Sequence, residues 1–193
     1  TPNMDRLAAE GMRFDRAYLT CSSCSPSRCS MLTGRYPHAT GAGELHLPLP
    51  KEQTMFTKPL MDAGYWTAAV GKWHLGQAVA DQVDYRRGSN PAAMGNAWVK
   101  ALKDRPAGQP FFLWAAHSDP HRGYKPGAVN PPHDPAKVIV PPFFPDASRV
   151  REDLALYYDE VSRFDEHIGM VLQELNQQGL EQNTFVLVIS DNG

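Results

Sequence analysis

Three things are scarce in this chain: long apolar runs, cysteine, and an excess of charge of either sign. No run approaches the roughly 18 consecutive apolar residues of a membrane-spanning helix. The opening Thr1-Pro2-Asn3 does not resemble a signal peptide. Nineteen Lys and Arg stand against 21 Asp and Glu, a formal net charge of −2. Nothing therefore pulls the chain globally toward nucleic acid or an anionic membrane, and any anion recognition must be local. Cysteines occur only at 21, 24 and 29; three cannot all pair, and their spacing gives no disulfide framework. At 193 residues the chain can bury one sizeable core, with one domain as the default. Its start reads as mid-domain and its end stops directly after a strand pattern, so a fragment of a longer protein is expected.

Short stretches of restricted chemistry carry the information. Ser25 reads as a helix N-cap and Pro26 as a first helical residue, which has no N–H to leave unpaired. Cys24 then lies just outside a helix N-terminus, where open backbone N–H groups and the helix dipole favour an anion. Arg28 falls about one turn in and can return toward Cys24 with a planar fork of donors. Together they suggest a site that handles an oxyanion. Two other readings compete: Cys24 as a small buried hydrophobe, and a zinc knuckle of Cys21, Cys24, Cys29 and His38. Against the knuckle, Pro26 starts a helix between the would-be ligands, and structural zinc sites usually pair two separated couples.

Along the chain, residues 3–11 read as a short helix with Met4, Leu7 and Ala8 on one face and Gly11 as its cap. Residues 12–19 alternate enough for a strand. A helix from the cysteine stretch ends near Gly34, and residues 35–51, rich in Pro, Gly and His, form a surface loop. Thr54 caps a helix through about Asp62, ended by Gly64, and residues 65–70 make a strand leading to Lys72 and His74. Residues 77–92 are irregular, 93–104 an amphipathic helix, and 111–116 a strand buried on both faces. The last leads into His117-Ser118-Asp119-Pro120-His121-Arg122. Residues 123–148 form a long proline-rich connection, and 149–178 the longest helical pattern. The carboxylates on that helix, Asp159, Asp165 and Glu166 among them, read as a solvated face. Residues 184–189 form another buried strand, delivering Ser190-Asp191-Asn192-Gly193.

Alternating strands and helices predict an α/β fold, a doubly wound, mostly parallel sheet flanked by helices. Ligands of such sheets bind beyond the carboxyl ends of the strands. Lys72 with His74, His121, and Asp191 with Asn192 all fall there. A carboxylate beside an amide oxygen is hard-cation chemistry, suited to calcium or magnesium. Alone, Lys72 reads as a surface lysine, His74 and His117 as structural histidines, and Asp-Asn-Gly as a turn.

The stretch Cys24-x-Pro26-Ser27-Arg28 with Met31-Leu32-Thr33-Gly34 resembles the first sulfatase signature. Gly64-Tyr65-x-Thr67-x-x-Val70-Gly71-Lys72-Trp73-His74 resembles the second, and Asp191-Asn192-Gly193 the family's metal motif. Three further stretches are most similar to the heparan N-sulfatase (sulfamidase) branch, and the similarity runs over nearly the whole chain. They are Ser22-Ser23-Cys24-Ser25-Pro26-Ser27-Arg28, Ser118-Asp119-Pro120-His121-Arg122 and Val140-Pro141-Pro142-Phe143-Phe144-Pro145.

The resemblance implies an alkaline phosphatase-like fold and a sulfuric ester or sulfamate hydrolase acting on a sulfated sugar, an N-sulfoglucosamine among the candidates. It implies that a formylglycine-generating maturase oxidises Cys24 to formylglycine, whose hydrate attacks sulfur and then ejects sulfate. Calcium, or else magnesium, would be held by residue 24, Asp191 and Asn192. Arg28 would hold the hydrate, Lys72 the sulfate oxygens, His74 would be the base, and His121 would meet the leaving group. The family's first strand with its aspartate pair, and a lysine beyond the Asp-Asn-Gly motif, would lie outside residues 1–193, which form part of a single catalytic domain. The full-length protein would be exported: periplasmic, secreted or lysosomal. The same superfamily also carries phosphate and phosphonate monoester hydrolases, which stay open as an alternative.

Overall fold

The cysteine-bearing helix is set by its ends. In the computed structural model, which describes residues 1–192, this helix spans Cys24–Thr33 and stops at Gly34. Gly34 takes φ 68°, a left-handed backbone that a residue without Cβ adopts freely, and its N–H returns to the Ser30 carbonyl. The helix starts two residues earlier than the sequence suggests: Ser23, not Ser25, is the N-cap, and Cys24, not Pro26, the first helical residue.

In chain order the helices are α1 (Pro2–Glu10), α2 (Cys24–Thr33), α3 (Pro37–Thr40), α4 (Thr57–Asp62), α5 (Met94–Asp104) and α6 (Ser148–Gln177). The strands are β1 (Trp66–Gly71), β2 (Tyr85–Arg87) and β3 (Phe111–Ala116). They run parallel in the order β2-β1-β3 and are flanked by helices, the α/β architecture expected. Parallel pairing needs crossovers, and the connections 72–84 and 88–110 supply them. Central β1 is buried along its middle, whereas β3 at the edge is mostly half-buried rather than buried on both faces. β2 lies inside the stretch read as irregular; two of its three residues are arginine, so no apolar pattern marks it.

The chain gathers into two units. The first comprises residues 1–12, 90–99 and 117–184; the second comprises 13–89, 100–116 and 185–193. The second unit's core joins Cys29 and Leu32 of α2 to Ala42, Leu49, Met55, Ala69, Leu75, Val79 and Val83, with Trp73 and Trp114 against it. Each leucine, valine or methionine among them contributes about 2 kcal/mol through the surface it withdraws from water.

In the first unit, Trp98 of α5 stands edge-on to Phe164 and His167 of α6. Here α6 departs from expectation. Asp159 and Asp165 are each only 1% exposed, not part of a solvated face. Asp165 accepts the backbone N–H groups of Asn3 and Met4, capping the open first turn of α1, whose own N-cap Thr1 turns its hydroxyl to Asp5 Oδ1 rather than to the helix backbone. Asp159 accepts the backbone N–H and ring Nδ1 of His133. Carboxylates at helical spacing look solvated in a sequence when the donors they satisfy lie 26 to 162 residues away.

Other differences are local. Residues 12–19 and 184–189 are not strands and leave their apolar side chains out, Tyr18 at 87% and Phe185 at 89% exposure. A strand exists only as part of a ladder, and among the described residues neither segment has one. Phe56, not Thr54, precedes α4, and Gly11 at φ −127° is not a left-handed cap.

Candidate functional site

The second unit brings three separated stretches together. From α2, Arg28 reaches Asp191: its Nε donates to Asp191 Oδ2 at 2.7 Å, and Nη2 stands 2.6 Å from the same oxygen. Its remaining nitrogen, Nη1, donates to the Lys72 carbonyl at 2.8 Å, and its guanidinium carbon lies 6.0 Å from the Trp114 ring centre. Arg28 is almost fully buried, which only a saturated set of partners makes tolerable. Lys72 Nζ lies 3.8 Å from Asp191 Oδ2. Asn192 Nδ2 donates to Cys24 Sγ at 3.0 Å. Residues 24 and 192 thus touch although 168 positions separate them.

β1 delivers Lys72 and His74. Its last residue, Gly71, takes φ 107°, and the Lys72 N–H continues the β3 register by donating to the Ala116 carbonyl. Trp73 Nε1 donates to the Gly76 carbonyl, which folds the chain back after His74. Burial first, then Lys72, His46 and Arg28, push the His74 ring below its ordinary 6.5, while Asp191 opposes them. His74 is therefore neutral near pH 7.

Cys24 and Cys29 share a helix and differ in kind. Cys29 is inside the apolar core, and burial pushes its thiol up to about 11. Cys24 is half-exposed in the first turn, where no side chain caps the open N–H groups. The zinc-knuckle alternative fails on this geometry. Cys29 is a core thiol, and among the described residues no group of three His, Cys, Asp or Glu can hold a metal. Cys24 is also not the buried hydrophobe that the plain reading allowed.

A divalent cation fits the donor chemistry in part. Asp191 and Asn192 offer adjacent carboxylate and amide oxygens, the hard donors that calcium and magnesium take. They are two donors of a shell, and Arg28 and Lys72 already balance the Asp191 charge.

His121 belongs to the first unit, where it is exposed and its Nδ1 lies 3.0 Å from the Arg122 carbonyl. His117, four residues earlier, is buried. It accepts the Asp119 N–H on Nδ1 at 2.8 Å, so its proton sits on Nε2 and faces His167 Nδ1 at 3.0 Å. Burial above all pushes His117 down to about 4. Sequence reasoning missed His46, whose Nδ1 is 2.8 Å from His74 Nε2. It lies in a loop without periodicity, and only the clustering of histidines there could have pointed to it.

The sulfatase family profile matches residues 1–193, and the chain belongs to that family. It is 34% identical, over its whole length, to human N-sulphoglucosamine sulphohydrolase, of which it covers 46%. It is 32% identical to an N-acetylglucosamine-6-O-sulfatase of Bacteroides thetaiotaomicron, over 65% of this chain and 27% of that protein. The chain thus spans about half the length of the first of these curated relatives, or less. A solved structure of a protein in complex with its substrate D-glucosamine-2-N,6-O-disulfate superposes with a TM-score of 0.74 at 20% identity, covering 95% of this chain and 58% of that one. At that identity the likeness concerns the fold, the alkaline phosphatase-like architecture of sulfatases.

Proposed function

We propose that the protein hydrolyses a sulfuric ester or sulfamate on a sulfated sugar, an N-sulfated glucosamine being the first candidate, and that residues 1–193 are part of its single catalytic domain. One observation carries the reading: the Asp191-Asn192 pair closes on Cys24 and Arg28, so the two motifs form one cluster. The two glucosamine sulfatases among the relatives support the substrate class.

In this reading Cys24 is matured to formylglycine by a formylglycine-generating enzyme, its half-exposed place in the first turn leaving the thiol within reach. Once water adds to the aldehyde, a hydroxyl of the hydrate would supply the attacking oxygen. Calcium, or magnesium in its place, would be held by Asp191, Asn192 and residue 24 and would supply positive charge to the site. Arg28 fixes the Asp191 carboxylate and the Lys72 backbone through three donors, so the cluster needs no rearrangement as charge develops. Lys72, whose ammonium has Asp191 as a distant partner, turns toward the sulfate oxygens. Neutral His74 takes a proton. His121 delivers one to the departing sugar, an assignment that rests on its Pro-His motif. Among the described residues no helix is long and apolar enough to cross a membrane; a sulfated-glycan substrate suits an exported or lysosomal enzyme.

The test uses the full-length protein co-expressed with a formylglycine-generating enzyme. The peptide containing residue 24 should show the mass change of thiol to aldehyde. Cys24→Ala should lower sulfate release by at least about 10³-fold while far-UV circular dichroism stays the same. Sulfate release by the alanine variant at the parental rate overturns the reading. Faster turnover of an aryl phosphate than of an aryl sulfate moves the protein to the phosphate monoester class.

A further inference from the structure

His46, at φ 70°, and His74, at φ 59°, are the two non-glycine residues with positive φ among those described. Such a backbone is uncommon for a residue with a Cβ and persists where its surroundings over-determine it. Here the two rings meet, with His46 Nδ1 at 2.8 Å from His74 Nε2 and centroids 4.9 Å apart. The loops are joined beyond the rings as well. The Leu49 N–H donates to the Leu75 carbonyl at 2.9 Å, and Pro48 packs so tightly on Gly76 that a Cβ there would stand 2.4 Å from the Pro48 Cβ. On the other side, the His46 N–H donates to Ser25 Oγ at 2.8 Å, in the turn that carries Cys24. His46 is held from the cysteine helix and from the loop after β1 at once.

His74 Nδ1 is buried and has no hydrogen-bond partner among the described residues. The facing nitrogens share one proton, and either ring can supply it. If His46 donated, the single proton of neutral His74 would sit on Nδ1 as an orphaned buried N–H, the rarer and costlier arrangement. If His74 donates through Nε2, its Nδ1 carries a bare lone pair, and exposed His46 keeps its own proton on Nε2. We propose that His46 is a positioning residue that accepts the Nε2 proton of His74 and so presents the bare Nδ1 of His74 as the proton acceptor of the site. The proposal rests on the sulfatase reading for the use of that acceptor, but the tautomer can be read without turnover.

Nitrogen-15 chemical shifts of the histidine rings in the full-length protein at pH 7 should show His74 protonated on Nε2 and bare on Nδ1. His46→Gly removes the ring and suits a φ of 70°, so the fold should persist while the tautomer preference is lost. Its kcat should fall about 10- to 100-fold, as when an orienting partner is removed, with KM and the conversion of Cys24 unchanged. His46→Asn tolerates positive φ and can place an amide oxygen near the lost Nδ1, so it should recover most of the rate. A protonated Nδ1 on His74 in the parent overturns the proposal. So does parental kcat in His46→Gly, or an asparagine variant no faster than the glycine one. A parent with the expected tautomer that releases no sulfate overturns the sulfatase reading instead, which keeps the two failures apart.

Discussion

In the second unit, Arg28 and Lys72 share an aspartate whose side chain keeps a fifth of its surface open. In the first unit, Arg163 Nε donates at 2.7 Å to an aspartate, Asp119, whose side chain is 3% exposed. Each cluster also holds two facing histidines, His46 with His74 and His117 with His167. The residue types match, and what surrounds them does not. The buried cluster turns most of its polar atoms on itself, Asp119 N–H to His117, His117 to His167 and Arg163 to Asp119, leaving Glu160 Oε2 over among the described residues. The open cluster keeps capacity unspent, in a distant ammonium on Lys72, an unpartnered His74 Nδ1 and an uncapped helix turn at Cys24. A saturated polar network stabilises; an unsaturated one at the surface can take a ligand. Changes in the buried cluster should therefore appear as stability, and changes in the open one as rate.

The largest stability effect should come from Asp119→Ala. Among the described residues it leaves the Arg163 guanidinium, 14% exposed, with Glu160 Oε1 at 4.0 Å as its carboxylate partner. Breaking a buried pair by removing one partner costs about 3–5 kcal/mol, and Glu160 holds this case near 3. Denaturant unfolding of the full-length protein checks it, with Asp119→Asn, which keeps an acceptor, falling between. A loss under 1 kcal/mol would make the first-unit cluster as dispensable as a surface pair.

Acid should attack the same cluster. The ordinary histidine value is 6.5, and burial holds folded His117 at about 4. Between these values the unfolded chain binds more protons, so stability rises with pH across that window. The contribution is fully present above about 6.5 and is lost as pH falls through about 4. A gap of that size is worth about 3 kcal/mol. Urea midpoints at pH 7 and pH 4.5, for the parent and for His117→Gln, should show a steeper acid loss in the parent. Equal losses would remove His117 as the cause.

How much of this was legible in advance follows the same division. β3 appears with the bounds its apolar run suggests, and α6 is displaced by one residue. Both patterns are local and long. Cys24, Arg28, Lys72, His74, Asp191 and Asn192 could be picked out because their motifs bind them to neighbouring positions. What stayed hidden depends on partners far along the chain. Asp165 looks solvated until Asn3 and Met4 arrive beneath it. Residues 184–189 look like a buried strand because composition reports a preference for burial, whereas a ladder must come from another segment. β2 has the ladder and not the composition, since pairing with β1 holds two arginines in a strand.

The smallest effect, and the one that divides the clusters most finely, is Ser25→Ala. Ser25 is fully buried, and its Oγ accepts the His46 N–H. His46 is exposed, so after the substitution that N–H finds water, and the loss is about 1 kcal/mol, that of one ordinary hydrogen bond. In the buried cluster a change of that size should leave rate untouched. Here the same bond seats the loop that orients His74, so kcat should fall several-fold while KM holds, measured on the fraction whose residue 24 is converted. A Ser25→Ala protein that loses stability and keeps its full kcat would mean that Leu49, Leu75 and the Pro48–Gly76 contact seat that loop without help from α2. The open cluster would then be as self-contained as the buried one, and its division between rate and stability would have to be drawn at Arg28 instead.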